Sequence, residues 1–232
     1  HRGAVVHVAE GVDAGSLLLR FAAAGAANDL LSSRVMVLLD PGARLTLIEQ
    51  HRGASPSALN LLLQPQLAEN ARLAHLRVQD RDDEAFLLTA THAVQAAGSH
   101  YAFCGFDLGG GLLRHELNTT LNGEEAHAEL AGAWVLDGQR HCDVRVAVDH
   151  AAPNCSSNEL VRAIAKTAHV FQIDAAQDPK CPTGGLLATD NPEDHERFMN
   201  EVVVYEGLHT YGGMAGRTME IFARGLEEMC SE

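Results

Sequence analysis

Basic residues are scarce in this chain: 17 Lys and Arg stand against 31 Asp and Glu, for a formal charge of −14 and a pI near 5.3. They form no basic stripe, and such a balance repels a phosphate backbone, so nucleic acid is excluded as the expected partner. Long apolar runs are missing too. None reaches the roughly 18 residues of a membrane helix, and the chain opens mid-pattern at His1-Arg2-Gly3, so neither a membrane span nor a signal peptide is read. The five cysteines, at 104, 142, 155, 181 and 230, are odd in number and include no C-x-x-C pair. That argues against a disulfide framework and against a zinc ribbon, and the expected setting is the reducing cytoplasm.

What the chain has is apolar content of 46% over 232 residues, enough for one good core or two small ones. Between Ala71 and Ser157 it falls into short apolar runs beginning near Ala71, Ala85, His100, Leu112, Ala126 and His141, roughly 12 to 15 residues apart. Turn residues separate them: Gly109-Gly110-Gly111, Asn122-Gly123 and Asp137-Gly138. Within a run the period is two. Ala126, Ala128, Leu130, Gly132, Trp134 and Leu136 share one face, and Cys142, Val144, Val146 and Val148 share another, with His127, Glu129, Asp143 and Arg145 on the polar sides. Upstream, strands are read at 4–9, 34–39, 43–49 and 59–67, the last running across Pro65, whereas 16–27 fits a short helix or a buried strand pair equally well.

Single short strands recurring without long helices suit a β-sandwich or a coiled solenoid, since each buries one face per strand. Small residues at Ala126, Ala128 and Gly132 would let stacked turns approach closely, which favours the solenoid. No strict sequence repeat decides between them.

Several segments carry a resemblance that does. Gly42 through His51, Glu69-Asn70-Ala71-Arg72-Leu73, Leu112 through Leu117, and Arg140-His141-Cys142-Asp143 leading through Asp149-His150 and Pro153-Asn154-Cys155-Ser156-Ser157 to Glu159-Leu160 resemble the SufB/SufD family, the SufD branch best. The likeness covers about residues 1–165. It implies a right-handed parallel β-helix and a noncatalytic scaffold subunit of the SUF iron–sulfur cluster assembly complex. The implied partners are a SufB-like subunit and the SufC-like ATPase, with room left for a homodimer. An iron–sulfur cluster would touch the chain only within that complex.

Beyond residue 165 the likeness changes. Thr183 through Thr189, Glu201 through Gly207 and Thr210 through Glu220 resemble the β-eliminating lyases, the tyrosine phenol-lyase and tryptophanase group, so residues 166–232 read as a foreign tail. That group binds pyridoxal phosphate on a lysine preceding this segment; Lys166 and Lys180 do not match its place. The alternative function is therefore a fragment of such an enzyme. Physically the tail reads as α-helical. Asn191-Pro192-Glu193-Asp194 starts a helix reaching about Val204, Gly212-Gly213 breaks the chain, and Arg217 to Met229 carries Met219, Ile221, Phe222 and Leu226 as an apolar stripe that could cap the solenoid.

Candidate chemistry concentrates in His141, Asp143, Asp149, His150 and Cys155, whose imidazole and thiolate would suit iron or zinc. The structural reading has Cys142 and the valines facing inward, with these polar residues at turns and edges. Gly109-Gly110-Gly111 lacks the Lys-Ser or Lys-Thr of a phosphate loop and reads as a turn. His100, His115 and His127 recur on successive strands and could stack as a ladder or stand as an exposed polar row. Ser156 and Ser157 lie near His150 without a nucleophile elbow, and Arg217 reads as a surface charge. No residue is assigned a catalytic or cofactor-binding role, and the metal remains unknown.

Overall fold

The computed structural model describes residues 2–22, 29–53, 57–137, 140–166, 171–174, 185–188, 192–193 and 196. They are almost entirely strands: β1 (Arg2–Val8), β2 (Asp13–Ala22), β3 (Leu30–Leu39), β4 (Arg44–Gly53), β5 (Ala58–Leu67), β6 (Arg72–Arg81), β7 (Phe86–Gln95), β8 (His100–Asp107), β9 (Leu112–Leu121), β10 (His127–Asp137), β11 (His141–His150), β12 (Ser156–Lys166), β13 (Phe171–Asp174) and β14 (Gly185–Ala188). Each strand up to β11 pairs in parallel with the strand two places on. One sheet therefore runs β1-β3-β5-β7-β9-β11-β13-β14 and the other β12-β10-β8-β6-β4-β2. A chain that alternates between two parallel sheets is a β-solenoid with two strands per turn. Leu45 lies beside Leu73, and Leu73 beside Tyr101, so one turn takes 28 residues.

The strand starts at 72, 86, 100, 112, 127 and 141 fall within a residue of those expected from the apolar runs. The ambiguous 16–27 segment resolves as β2, which ends at Ala22 and keeps Leu18 48% exposed at the sheet margin. Pro65 is accommodated inside β5 because its missing N–H falls where the ladder to β7 skips from Leu63 to Gln66. Gly132 proves small for a reason other than the close approach of turns: a Cβ there would sit 2.8 Å from the indole of Trp134 on the same strand. Of the helical tail, Pro192, Glu193 and Glu196 are helical and exposed, and the remainder of both helical segments lies outside the described residues.

One corner of the solenoid repeats with each turn. Gly11, Gly42, Asn70, Gly98, Glu125 and Asn154 all hold positive φ, between 57° and 70°. Five of them donate the N–H to the next turn: Gly11 to Pro41 O, Gly42 to Glu69 O, Asn70 to Ala97 O, Gly98 to Glu124 O and Glu125 to Pro153 O. After the four central ones the next residue is small and inward, with Ala43, Ala71 and Ala126 fully buried and Ser99 1% exposed; at the first corner Val12 is exposed and at the last Cys155 is half-buried. Then comes an outward residue whose N–H bonds the previous turn, as Arg72 does to Ala43 O and His100 to Ala71 O. The left-handed conformation costs an ordinary L-residue roughly 1–2 kcal/mol, so glycine and asparagine dominate the corner.

Glu125 is the exception, a side chain with a β-carbon held at φ 57°. Replacing it with glycine should raise stability in urea by about 1 kcal/mol. Gly98→Ala should lower it, since the added Cβ would meet Asn70 Oδ1 at 2.4 Å in the same backbone conformation. Equal midpoints for the two variants would contradict this assignment of the corner.

Candidate functional site

Alternation along β4, β6 and β8 places charged side chains, as well as leucines, between the sheets. Glu49, His51, His75, Arg77, Gln79, Asp107 and His115 are each at most 4% exposed. Register explains their meeting. Glu49 lies beside Arg77, and His51, Gln79 and Asp107 occupy one row across three strands. His115 faces them from β9 of the opposite sheet.

Glu49 is the acceptor at the centre. His51 Nε2–H donates to its Oε1, and His75 Nε2–H donates to Oε2 at 2.9 Å. His75 Nδ1 accepts from the Tyr101 hydroxyl at 3.0 Å. Arg77 Nε lies 3.6 Å from Glu49, while its Nη1 donates to both oxygens of Asp107 at 2.8 and 3.0 Å and reaches His115 Nδ1 at 3.4 Å. His115 Nε2–H is left to donate to Thr91 Oγ1 at 3.2 Å. Phe103 packs its ring against both His75 and His115, with centroids 5.1 and 5.5 Å away.

Burial raises the Glu49 carboxyl, but its contacts with His51 and His75 outweigh that and hold it well below the ordinary value. We assign Glu49 as the ionised partner. His51 is depressed by burial against the opposing pull of Glu49, and His115 lies well below its ordinary value through burial and the neighbouring Arg77 charge. Asp107 is raised by burial despite Arg77, and Tyr101 is raised by burial and by Glu49. The arrangement is a sealed ion cluster. The cavity beside it, bounded by Asp107, His115 and Trp134, measures about 10 Å³, no more than one water molecule needs.

The residues singled out from the sequence are dispersed. Asp143 is ion-paired with Arg114 at 3.0 Å, His150 bonds Ser157 Oγ at 3.0 Å, and Cys155 Sγ donates to Gly123 O at 3.2 Å. Cys142 faces inward, its thiol pushed up by burial. His141 and Asp149 are exposed on β11, and the five candidate ligands do not converge. Gly109-Gly110-Gly111 is a corner: Gln79 clamps Gly109 through both its N–H and its carbonyl at 3.0 and 2.8 Å, and a Cβ on Gly109 would lie 2.2 Å from Arg81 O. His100 and His127 do lie side by side on the outer face, their rings tilted by 42° with centroids 4.9 Å apart, whereas His115 is in the core. Lys180 and Arg217 lie outside the described residues. The buried cluster was not anticipated; its signal was charged and histidine residues at the inward positions of Glu49-x-His51 and His75-x-Arg77-x-Gln79.

A sequence-family profile described as "SUF system FeS cluster assembly, SufBD core domain" matches residues 21–172, which take in the solenoid from the end of β2 into β13. The chain belongs to the SufBD core family. It is 33% identical over 112 residues to an iron–sulfur cluster assembly SufBD family protein of Mycobacterium leprae, covering 48% of this chain and 28% of that protein. A SufBD family protein of Synechocystis is 25% identical over 145 residues, 58% of this chain and 32% of the relative. A tyrosine phenol-lyase of Nostoc punctiforme is 60% identical over 56 residues, 24% of this chain and 12% of that enzyme. The chain thus spans less than a third of each of these relatives. Among the described residues, no helix is long and apolar enough to cross a membrane.

The cluster sets a pH dependence for this SufBD core. His51 and His115 have folded values below the ordinary 6.5. Below that pH the unfolded chain takes up protons that the folded core refuses, so stability is lost as pH falls. Glu49 adds a loss of the same sign at more acidic pH, and Asp107, raised by burial, opposes it there. Thermal midpoints should fall from pH 7 to pH 5, and His115→Phe should flatten that slope; a slope unchanged in the variant would contradict the assignment.

Proposed function

We propose that this chain acts as a SufD-like, noncatalytic scaffold subunit in iron–sulfur cluster assembly, working in the cytoplasm beside SufB-like and SufC-like subunits. The observation that carries the reading is the coincidence of the SufBD core match, residues 21–172, with one continuous solenoid. The winding is right-handed by the general rule for parallel crossovers.

The donor chemistry supports a shared cargo. Thiolates are the usual cluster ligands. Cys142 is turned into the core with its thiol pushed up, Cys155 is bonded to a corner carbonyl, and Cys104 stands half-buried on the other sheet. A cluster would therefore be held together with a partner's ligands, as cargo of the complex. Docking uses the outer strands: among the described residues β2 and β12 end one sheet and β1 ends the other, offering edges for sheet extension.

A second reading rests on the 60% identity to a tyrosine phenol-lyase over 56 residues. It assigns residues 166–232 to a tail of separate origin, in which neither Lys166 nor Lys180 matches the place of the lysine that holds pyridoxal phosphate in that group.

Co-expression with SufB-like and SufC-like subunits, followed by anaerobic loading with iron and sulfide, separates the two. The scaffold reading expects co-purification in fixed stoichiometry, cluster absorbance in the complex, and none in this chain alone. Failure to associate, or phenol release from tyrosine with the visible absorbance of a lysine imine on adding pyridoxal phosphate, would overturn it.

A further inference from the structure

The outward residue that follows each solenoid corner forms a row across one sheet: Arg44, Arg72, His100, His127 and Ser156 lie side by side in register. Two neighbouring members are histidines. Two residues along β10 and on the same face stands Glu129, so two imidazoles and one carboxylate come from adjacent strands of a rigid sheet. Their ligand atoms all lie within 4.8 Å of one another.

Distances favour a small cation. His127 Nε2 is 3.3 Å from Glu129 Oε1, and His100 Nε2 is 3.9 Å from the same oxygen. A tetrahedral zinc site with bonds of about 2.0–2.1 Å has ligand–ligand edges of roughly 3.3 Å, so the His127–Glu129 edge is already formed, the His100–Glu129 edge is 3.9 Å and the His100–His127 edge lies within 4.8 Å. His127 Nδ1 bonds Ser156 Oγ at 2.7 Å, which fixes the ring and leaves Nε2 to the site. His100 Nε2 is shielded from solvent and makes no hydrogen bond. Burial and the neighbouring His127 lower the His100 value. Arg72, beside His100 on β6, is the charged group opposing a cation here; Glu129 is the one favouring it.

We infer that His100, His127 and Glu129 form a binding site for a late first-row divalent cation of the zinc class, with Ser156 orienting His127 and a fourth position open. Imidazole and carboxylate donors suit such ions, and three protein ligands leave a place for water or for a donor from another molecule. The site lies on the outer face of the sheet whose inner face carries Tyr101 of the buried cluster, and does not depend on the assembly reading. Affinity should rise with pH as protons on the imidazoles cease to compete.

Titration of the tag-free, metal-free full chain with Co²⁺ under reducing conditions tests it. One Co²⁺ per chain should give the visible absorption of a tetrahedral nitrogen and oxygen site without thiolate charge transfer, and Zn²⁺ should displace it. His127→Ala or Glu129→Gln should abolish the signal, Ser156→Ala should weaken affinity about tenfold, and His150→Ala should leave it unchanged, all with unaltered far-ultraviolet dichroism. Absence of uptake by the wild-type chain, a thiolate charge-transfer band, or undiminished binding in a His100→Ala/His127→Ala double variant would overturn the site.

Discussion

The structure depends on registration between successive turns. Parallel strands have no hairpin to set their pairing, so something else must fix where each turn lands on the last. Here the corner does so, through a left-handed residue whose N–H reaches the neighbouring turn and a small buried residue immediately after it. Because side chains alternate with a period of two, a slip of one residue would turn Glu49, Arg77 and Asp107 out to solvent and bring Arg44, Arg72 and His100 into the core. Registration thus determines both the interior and the outer row.

The interior pairs this constraint with a second one. A buried carboxylate or guanidinium is costly unless matched, and Glu49, Arg77 and Asp107 are matched as ion pairs across three consecutive turns, with His51, His75 and His115 adding hydrogen bonds while Arg77 Nε and Nη2 and His51 Nδ1 make none. Such a group of residues discriminates between registers more sharply than leucines, which tolerate neighbours of similar size. This accounts for polar residues in the middle of an otherwise aliphatic column without calling on a reaction.

Much of the fold was legible. The period of two, the spacing of the apolar runs and the turn residues placed the six strand starts from 72 to 141 to within a residue. Those signals are local, and a solenoid or a sandwich satisfies them equally. What distinguishes the two is pairing between residues 28 apart, and the repeat that records it is degenerate: Gly42-Ala43-Arg44-Leu45 and Asn70-Ala71-Arg72-Leu73 agree closely, while Gly98-Ser99-His100-Tyr101 and Glu125-Ala126-His127-Ala128 keep only conformation, burial and direction. Site residues were less legible for the same reason. His141, Asp143, Asp149, His150 and Cys155 are close in sequence and dispersed in space, whereas His100 and His127 are separated by a whole turn and lie side by side. The Glu49 cluster draws on strands from three turns, and sequence proximity gives no hint of it beyond charged residues at inward positions.

Cysteine cross-linking along the outer row tests the registration most directly. Parallel neighbours have Cα atoms roughly 4.8 Å apart, within the span of a disulfide. With products mapped by mass spectrometry, Arg44→Cys paired with Arg72→Cys should oxidise readily within one chain, as should Arg72→Cys with His100→Cys, while Arg44→Cys with His100→Cys, two turns apart, should not. Failure of the two adjacent pairs to close, or equal closure of all three, would contradict a column of turns held in this register.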